Sequence, residues 1–380
     1  MAPSKKSLSR LLALSGAVTE EQRQTNIHDH VVATNSPSVN FIFGNGWGLP
    51  MGYTLLLYGP PRGGKSILAN LMAGWLHQSD PDAVVIKFNT EFREKAQANQ
   101  KQSLAMYGID PDRLISYETN LPNEIFDRIE HEIAAEIQDG LKVKLIIIDS
   151  LTQIRGRRDL NADSIDTQQI GDKALTIQDG LSRILAIQRR FGIALILTSH
   201  IRAQMDTKTG TTGMVYKTQT YAVKPAVSFA TQHHAEYYMY VEPRAGKEGR
   251  TNESGETFID ESVEDLKGDG EQTAHRIAVR MTDASFGPKN RGGLFTFDYK
   301  RGLINIHEEV FNLGLARNVI EKPTNLKYAF GNREWVGKPA TLEALKNDPQ
   351  LQSDILAELR RRDLAGTLVS LEGEEPAKKQ

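Results

Sequence analysis

Tyr53-Thr-Leu-Leu-Leu-Tyr-Gly-Pro-Pro-Arg-Gly-Gly-Lys-Ser-Ile67 is the stretch that decides the fold. Leu55–Tyr58 is a short apolar run of the length a buried strand needs. Gly59, Gly64, Lys65 and Ser66 then satisfy G-x-x-x-x-G-K-[ST], and Ser66–His77 continues with helical spacing. Strand, loop and helix in that order are the context in which this motif holds phosphate. Gly63 and Gly64 let the backbone turn tightly with its N–H groups facing inward. The helix N-terminus near Lys65 adds positive potential. Lys65 is expected to reach the β- and γ-phosphates, and the Ser66 hydroxyl to ligate Mg²⁺. The expected triphosphate cradle is therefore Gly59, Pro60, Pro61, Arg62, Gly63, Gly64, Lys65, Ser66 and Ile67. A plain glycine turn is the competing reading, and the flanking strand and helix argue against it.

Working outward, 380 residues suggest one large domain with appendages, or two to three domains. The chain is 39% hydrophobic and 25% charged, the composition of a globular protein with a sizeable core. A formal net charge of −2 excludes a uniformly basic nucleic-acid binder, so any such contact must come from local loops. The absence of cysteine excludes disulfides and Cys-ligated metal sites. No apolar run approaches membrane-spanning length. Leu8–Leu14 is too short for a signal peptide, so a cytoplasmic location is the expectation.

Three further apolar runs end in polar groups. Ala83–Phe88 leads into Asn89-Thr90-Glu91-Phe92. A carboxylate at the C-terminal end of a strand in an open α/β sheet sits where ligands bind. Glu91 is thus the expected catalytic base for the attacking water; a surface loop Glu is the alternative. Leu145–Asp149 closes on a carboxylate that is the expected second Mg²⁺ anchor, with Ser150 beside it. Ala194–His200 places His200 next to the γ-phosphate as a sensor, against the alternative of a packing histidine. Leu114–Tyr117 reads as a minor strand, and Ile125–Ile137 as a helix with Ile125, Ile129, Ile133 and Ile137 on one face. Ala174–Arg190 reads as a longer helix.

Two loops carry cationic residues. Arg155, Arg157 and Arg158 surround a glycine in the first (152–172), as phosphate-backbone contacts do; a solvated charge run is the alternative. The second (201–230) carries Arg202, Lys208, Lys217 and Lys224 interleaved with aromatics that include Tyr221. Aromatic faces stack bases at about 1–3 kcal/mol each. A substrate lid of a small-molecule kinase is the alternative. Segment 36–51 reads as a short amphipathic stretch leading into a Gly/Pro turn, by itself only a connector. Beyond Tyr299, a helix at Glu308–Asn318, a hairpin at Lys327–Trp335 turning at Gly331-Asn332, and two helices in Thr341–Leu364 suggest a small α-rich module.

These residues resemble RecA-type homologous recombinases, most of all their phage branch of the UvsX kind. Gly48-Leu-Pro-Met-Gly52 ahead of the loop, Asn89-Thr-Glu-Phe92, Tyr107-Gly-Ile-Asp-Pro-Asp-Arg-Leu-Ile115, Ile147-Ile-Asp-Ser-Leu151 and Thr198-Ser-His200 are similar to the family's segments. The resemblance implies an α/β fold: a RecA-type phosphate-loop ATPase core (36–302) with a mostly parallel sheet flanked by helices. It implies an N-terminal oligomerisation element (1–35), a C-terminal α-rich domain (303–366) and a charged tail (367–380). It implies an ATP- and Mg²⁺-using, DNA-dependent ATPase that forms helical filaments on single-stranded DNA. That enzyme would pair this strand with double-stranded DNA in recombination and repair, alongside a single-strand-binding protein and a mediator. Leu8 and Leu12, with Arg280 and Lys289, are the implied inter-subunit contacts. The adenine-stacking position falls nearest Ser103, with Tyr107 as its substitute. A RecA-fold hexameric helicase or motor and a small-molecule kinase remain the alternatives.

Overall fold

In the computed structural model, the described residues are 30–44, 47–92, 100–157, 171–202, 224–244, 250–251, 257–258 and 274–372. Setting aside two-residue strands and single helical turns, the elements begin in chain order with α1 (Pro37–Ile42), β1 (Thr54–Tyr58), α2 (Lys65–Ser79), β2 (Val84–Asn89), α3 (Gln100–Tyr107), β3 (Leu114–Tyr117) and α4 (Pro122–Asp127). A π-helical stretch, Arg128–Ile133, joins α4 to α5 (Ala134–Gln138). Then come β4 (Val143–Asp149), α6 (Asp172–Phe191), β5 (Ala194–Ser199), β6 (Tyr237–Pro243), β7 (Ala274–Ala284), β8 (Gly292–Asp298) and β9 (Gly302–Ile304). The last elements are α7 (Ile306–Ala316), β10 (Glu321–Thr324), β11 (Lys327–Phe330), β12 (Arg333–Val336), α8 (Lys338–Asn347) and α9 (Pro349–Glu372).

The described residues group into two compact units. One takes those up to 33, 49 to 241 and 282 to 286; the other takes 34 to 48, 242 to 281 and 287 onward. The fold is α/β, and most of its main-sheet strands are parallel.

In the first unit, six strands run in the order β6-β1-β5-β4-β2-β3, every neighbouring pair parallel. Strands covered on both faces read as continuous apolar runs, and Leu55, Leu57, Leu145, Ile147 and Ile196 are fully buried. The expected strands of this unit are present: Leu114–Tyr117 has its expected bounds, and the others differ by one or two residues at an end. Helices α4 to α6 supply Ile125, Phe126, Ile129, Ile133, Ile177, Leu181 and Ile184 to one buried cluster with the strands. Ile137, expected on the same face, is only partly buried there. The π-helical stretch adds residues per turn and rotates the stripe away from its α-helical period. Gly180 lets α6 approach closely: a Cβ there would lie 2.3–2.5 Å from the Phe126 ring.

The second unit contains the antiparallel strands β9-β8-β7 and the antiparallel sheet β10-β11-β12. The expected hairpin is β11–β12, with Gly331 at φ +58° in its turn, and β10 adds a third strand. Val310, Phe311, Ile320, Leu345, Leu351 and Ile355 form the buried centre.

The connector reading of 36–51 is corrected here. Pro37–Ile42 is a helix, all six residues are buried, Ser36 caps it by accepting from the Val39 N–H, and Pro37 opens it. Asn40 is paired by three hydrogen bonds with Thr34: its Oδ1 accepts from the Thr34 N–H and hydroxyl, and its Nδ2 donates to the Thr34 carbonyl.

Glu309, on α7, closes this corner. Its Oε2 accepts from the Ser36 hydroxyl at 2.5 Å and the Ser38 N–H at 3.1 Å. Burial pushes its carboxyl up to about 8, against the hydrogen bonds from Ser36 and Ser38. The folded value lies above the unfolded one of 4.5, so the folded state holds this proton where the unfolded state has lost it. Stability from this group is therefore complete below about pH 4.5 and declines as pH rises to about 8, by about 1.4 kcal/mol per pH unit at most. Glu309→Gln is expected to flatten that decline. Melting curves at pH 5.5 and pH 8 would show the variant gaining on wild type at the higher pH, and an identical pH dependence would contradict the assignment.

Candidate phosphate and hydrolysis site

The phosphate loop lies between β1 and α2, and its shape depends on missing side chains. A Cβ at Gly59 would lie 1.9 Å from the Val241 carbonyl oxygen, and one at Gly63 would lie 2.9 Å from the carbonyls of Pro60 and Val241. Gly64 takes φ +97° as the residue before α2, which only glycine adopts without strain, and Arg62 takes φ +59°. No acidic residue stands in the first turn of α2, so the N-terminal dipole is uncompensated. Lys65 is buried, and its ammonium donates to the carbonyls of Gly59 (3.1 Å) and Pro60 (2.8 Å). Ser66 is exposed at the helix start, beside the half-buried Ile67. Pro61 and Arg62 form the exposed lip of the turn.

The C-terminal ends of β2, β4 and β5 bring the other expected residues together. Asp149 is buried at the end of β4, and its Oδ1 accepts from the Thr198 hydroxyl at 2.5 Å. The Asp149–Ser150 peptide is cis. Thr90 ties β2 to this turn: its hydroxyl donates to the Ser150 carbonyl at 2.7 Å and accepts from the Ser150 N–H at 2.8 Å, while its own N–H donates to the Asp149 carbonyl. Glu91 follows directly. Its Oε1 accepts from the Ser150 hydroxyl at 3.1 Å and lies 3.2 Å from His200 Nε2. His200 Nδ1 is buried without a hydrogen-bond partner among the described residues. Glu91, Ser150 and His200 thus form one contiguous group, two of them from different strand ends and one from the turn after β4.

His200 is also the last residue before a short ribbon. Its carbonyl accepts from the Ala226 N–H at 2.7 Å, and Ile201–Arg202 pairs antiparallel with Lys224–Pro225. The basic-aromatic loop therefore leaves and returns through a two-rung stem beside His200. Lys224 is exposed on that stem. Arg155 and Arg157 are exposed where the first loop leaves the sheet; the Arg155 N–H donates to the Asn120 carbonyl, and Arg157 pairs with Asp179 at 2.9 Å. That exposed pair is worth about 0–1 kcal/mol, so a polyanion can displace it. Leu8, Leu12, Arg158, Lys208, Lys217 and Tyr221 lie outside the described residues, as does the Arg202 side chain. Arg280 stands on β7 opposite Gly292, and Lys289 in the turn before Asn290, whose N–H donates to the Met281 carbonyl. Ser103 and Tyr107 are both half-buried on α3.

No protein-family model matches the sequence. The chain is similar to curated proteins along most of its length. It is 24% identical to Protein RecA of Wigglesworthia glossinidia brevipalpis, covering 90% of each chain. It is 21% identical to Protein RecA of Thermus aquaticus, over 95% of this chain and 93% of that one. It is 23% identical to Protein RecA of a strain of Thermus thermophilus, over 91% and 88%. These relatives support the RecA family. The RecA core they imply matches the α/β fold and its mostly parallel sheet.

Glu91, Asp149 and His200 stand at strand ends where the sequence pattern expects them; the pattern gives no role to Thr90 or Thr152, and Thr198 enters only as part of a motif. Thr90 adjoins the strand-end carboxylate Glu91, which is a signal in the sequence; Thr152 and Thr198 lie two residues from Ser150 and His200 respectively, and no sequence pattern singles them out. Val241 was out of reach, because it acts through its backbone carbonyl. Among the described residues, no helix is long and apolar enough to cross a membrane.

Proposed function

We propose that this protein is a DNA-dependent ATPase recombinase of the UvsX-like branch of the RecA family. In this reading it polymerises on single-stranded DNA and exchanges strands with a duplex. The observation that carries the reading is the convergence of phosphate loop, Asp149, and the Glu91–Ser150–His200 group on one edge of a parallel sheet. His200 where bacterial members have Gln supports the phage-like branch.

The residues fit a nucleoside triphosphate. The loop N–H groups and the α2 N-terminus complement phosphate oxygens, and Lys65 exchanges loop carbonyls for the β- and γ-phosphates. Ser66 and Asp149 would hold Mg²⁺, which shields phosphate charge when bound. Among the described residues no three His, Cys, Asp or Glu side chains gather into a metal cage, so phosphate oxygens and water would complete the shell, as Mg²⁺ favours. Glu91 takes the proton of the attacking water on its carboxylate, while Oε1 is held by the Ser150 hydroxyl. His200 holds the same oxygen and senses the γ-phosphate, and its place at the foot of the ribbon passes the change to the DNA-binding loop. Arg155, Arg157 and Lys224 contact the strand. Arg280 and Lys289 serve the contact with the next copy in the filament, and the working compartment is the cytoplasm.

The test is hydrolysis with and without single-stranded DNA, with assemblies imaged on the same sample. Stimulation and open helical filaments are expected; closed rings would point to a helicase-type motor. Binding to single-stranded DNA should weaken with salt, with a log–log slope near roughly −0.7 per phosphate neutralised. A complete lack of stimulation would remove the recombinase reading.

A further inference from the structure

We propose that Lys173 is a positioning residue for Glu91, acting through Thr152 and Ser150. The inference rests on the hydrolytic role proposed for Glu91. The Ser150 hydroxyl has one proton, and it goes to Glu91 Oε1 at 3.1 Å. The 2.7 Å contact between the Ser150 and Thr152 hydroxyls must then be Thr152 donating to Ser150. Donation therefore has a fixed direction: Thr152 to Ser150 to Glu91. Such a chain aims the carboxylate only if its first member is held.

Thr152 is the middle residue of the single 3₁₀ turn Leu151–Gln153, where the backbone leaves the sheet. The Lys173 ammonium donates to its carbonyl, a charge-assisted bond of the stronger kind. Lys173 comes from a rigid support, since α6 is anchored to the strands by Ile177, Leu181 and Ile184. The same turn of chain is tied to α6 a second time, through the Arg157 N–H and the Thr176 hydroxyl at 3.2 Å. Lys173 is the second residue of α6, where the helix dipole disfavours a cation. A local rule broken at that position, in contact with the group that aims the expected base, marks function rather than helix stability.

The test uses the full chain, ATP and an oligo-dT strand. Lys173→Ala is expected to lower DNA-stimulated kcat about tenfold, since modest loss of alignment at a base is expensive in rate, with the KM for ATP within about twofold. Lys173→Arg should restore most of the rate. Adding Lys173→Ala to Thr152→Val should slow that variant no further, because both break one chain. A merely structural lysine would lower the melting temperature and leave the kcat of the folded enzyme unchanged. Should Lys173→Ala melt early, Lys173→Met keeps the stem and carries the same readings. Wild-type kcat in the folded variant, or an Arg variant as slow as Ala, would overturn the inference alone. A wild-type protein without hydrolysis would overturn the proposed function and this inference with it.

Discussion

Glu91→Gln is expected to reduce DNA-stimulated ATP hydrolysis by about 10²–10⁴-fold, the contribution of a positioned base. That is about 3–5 kcal/mol of barrier. The substitution is close to isosteric, and the amide oxygen can still accept from Ser150 and His200. Nucleotide binding should persist, because the loop around Lys65 is shaped by Gly59, Pro60 and Val241 rather than by Glu91. The variant should therefore keep the thermal shift that ATP gives wild type while turning over almost none of it. Steady-state kinetics and nucleotide-dependent melting on the same preparation measure both halves. Normal turnover by Glu91→Gln would strip Glu91 of the role and leave the fold untouched.

Gly59→Ala tests the other half of the site. The added methyl would lie 1.9 Å from the Val241 carbonyl oxygen and 3.0 Å from its carbon. Both atoms are backbone, in a strand whose register places Tyr240 against Tyr58, so no rotamer change relieves the clash. The loop must move instead. Overpacking of this kind costs about 1–3 kcal/mol or more, which in a unit of this size corresponds to a melting decrease of roughly 2–12 °C. Displacement by about an ångström also misplaces the N–H groups that would hold phosphate, at a cost near 10²-fold. The expected result is a folded, less stable protein with little or no thermal response to ATP. Gly63→Ala, at 2.9 Å from two carbonyls, should show a milder version of both effects. Wild-type nucleotide affinity in Gly59→Ala would mean that the nucleotide binds elsewhere.

The contrast between what was legible in the residues and what was not has a physical basis. The parallel strands were legible because burial on both faces demands unbroken apolar runs, and 145–148 and 194–197 are such runs. The site residues were legible as strand endings. Their mutual contacts were not: which Glu91 oxygen meets His200 depends on the register of β2 and β5 across the intervening β4, and no local pattern encodes register between parallel strands. The helix α1 escaped because it is buried all round and carries Ser38 and Asn40 inside. A fully enclosed helix has no polar face to mark its period, and its polar groups are satisfied by neighbours that only tertiary structure supplies. The Glu309 carboxyl beneath it was hidden for the same reason. The cationic loops were legible as composition, yet Arg157 meets Asp179 on α6, a partner that lies beyond the loop.

The dependence of Gly59 and Gly63 on the Val241 carbonyl has a consequence for biogenesis. The motif is translated early, but the strand that floors it is the last of the six parallel strands to leave the ribosome. Until residue 241 has emerged, the nascent motif lacks the backbone against which Gly59 and Gly63 pack. On the ATP-binding reading proposed above, a product that ends before β6 lacks the carbonyl packed against Gly59 and Gly63 and is expected to bind the nucleotide more weakly.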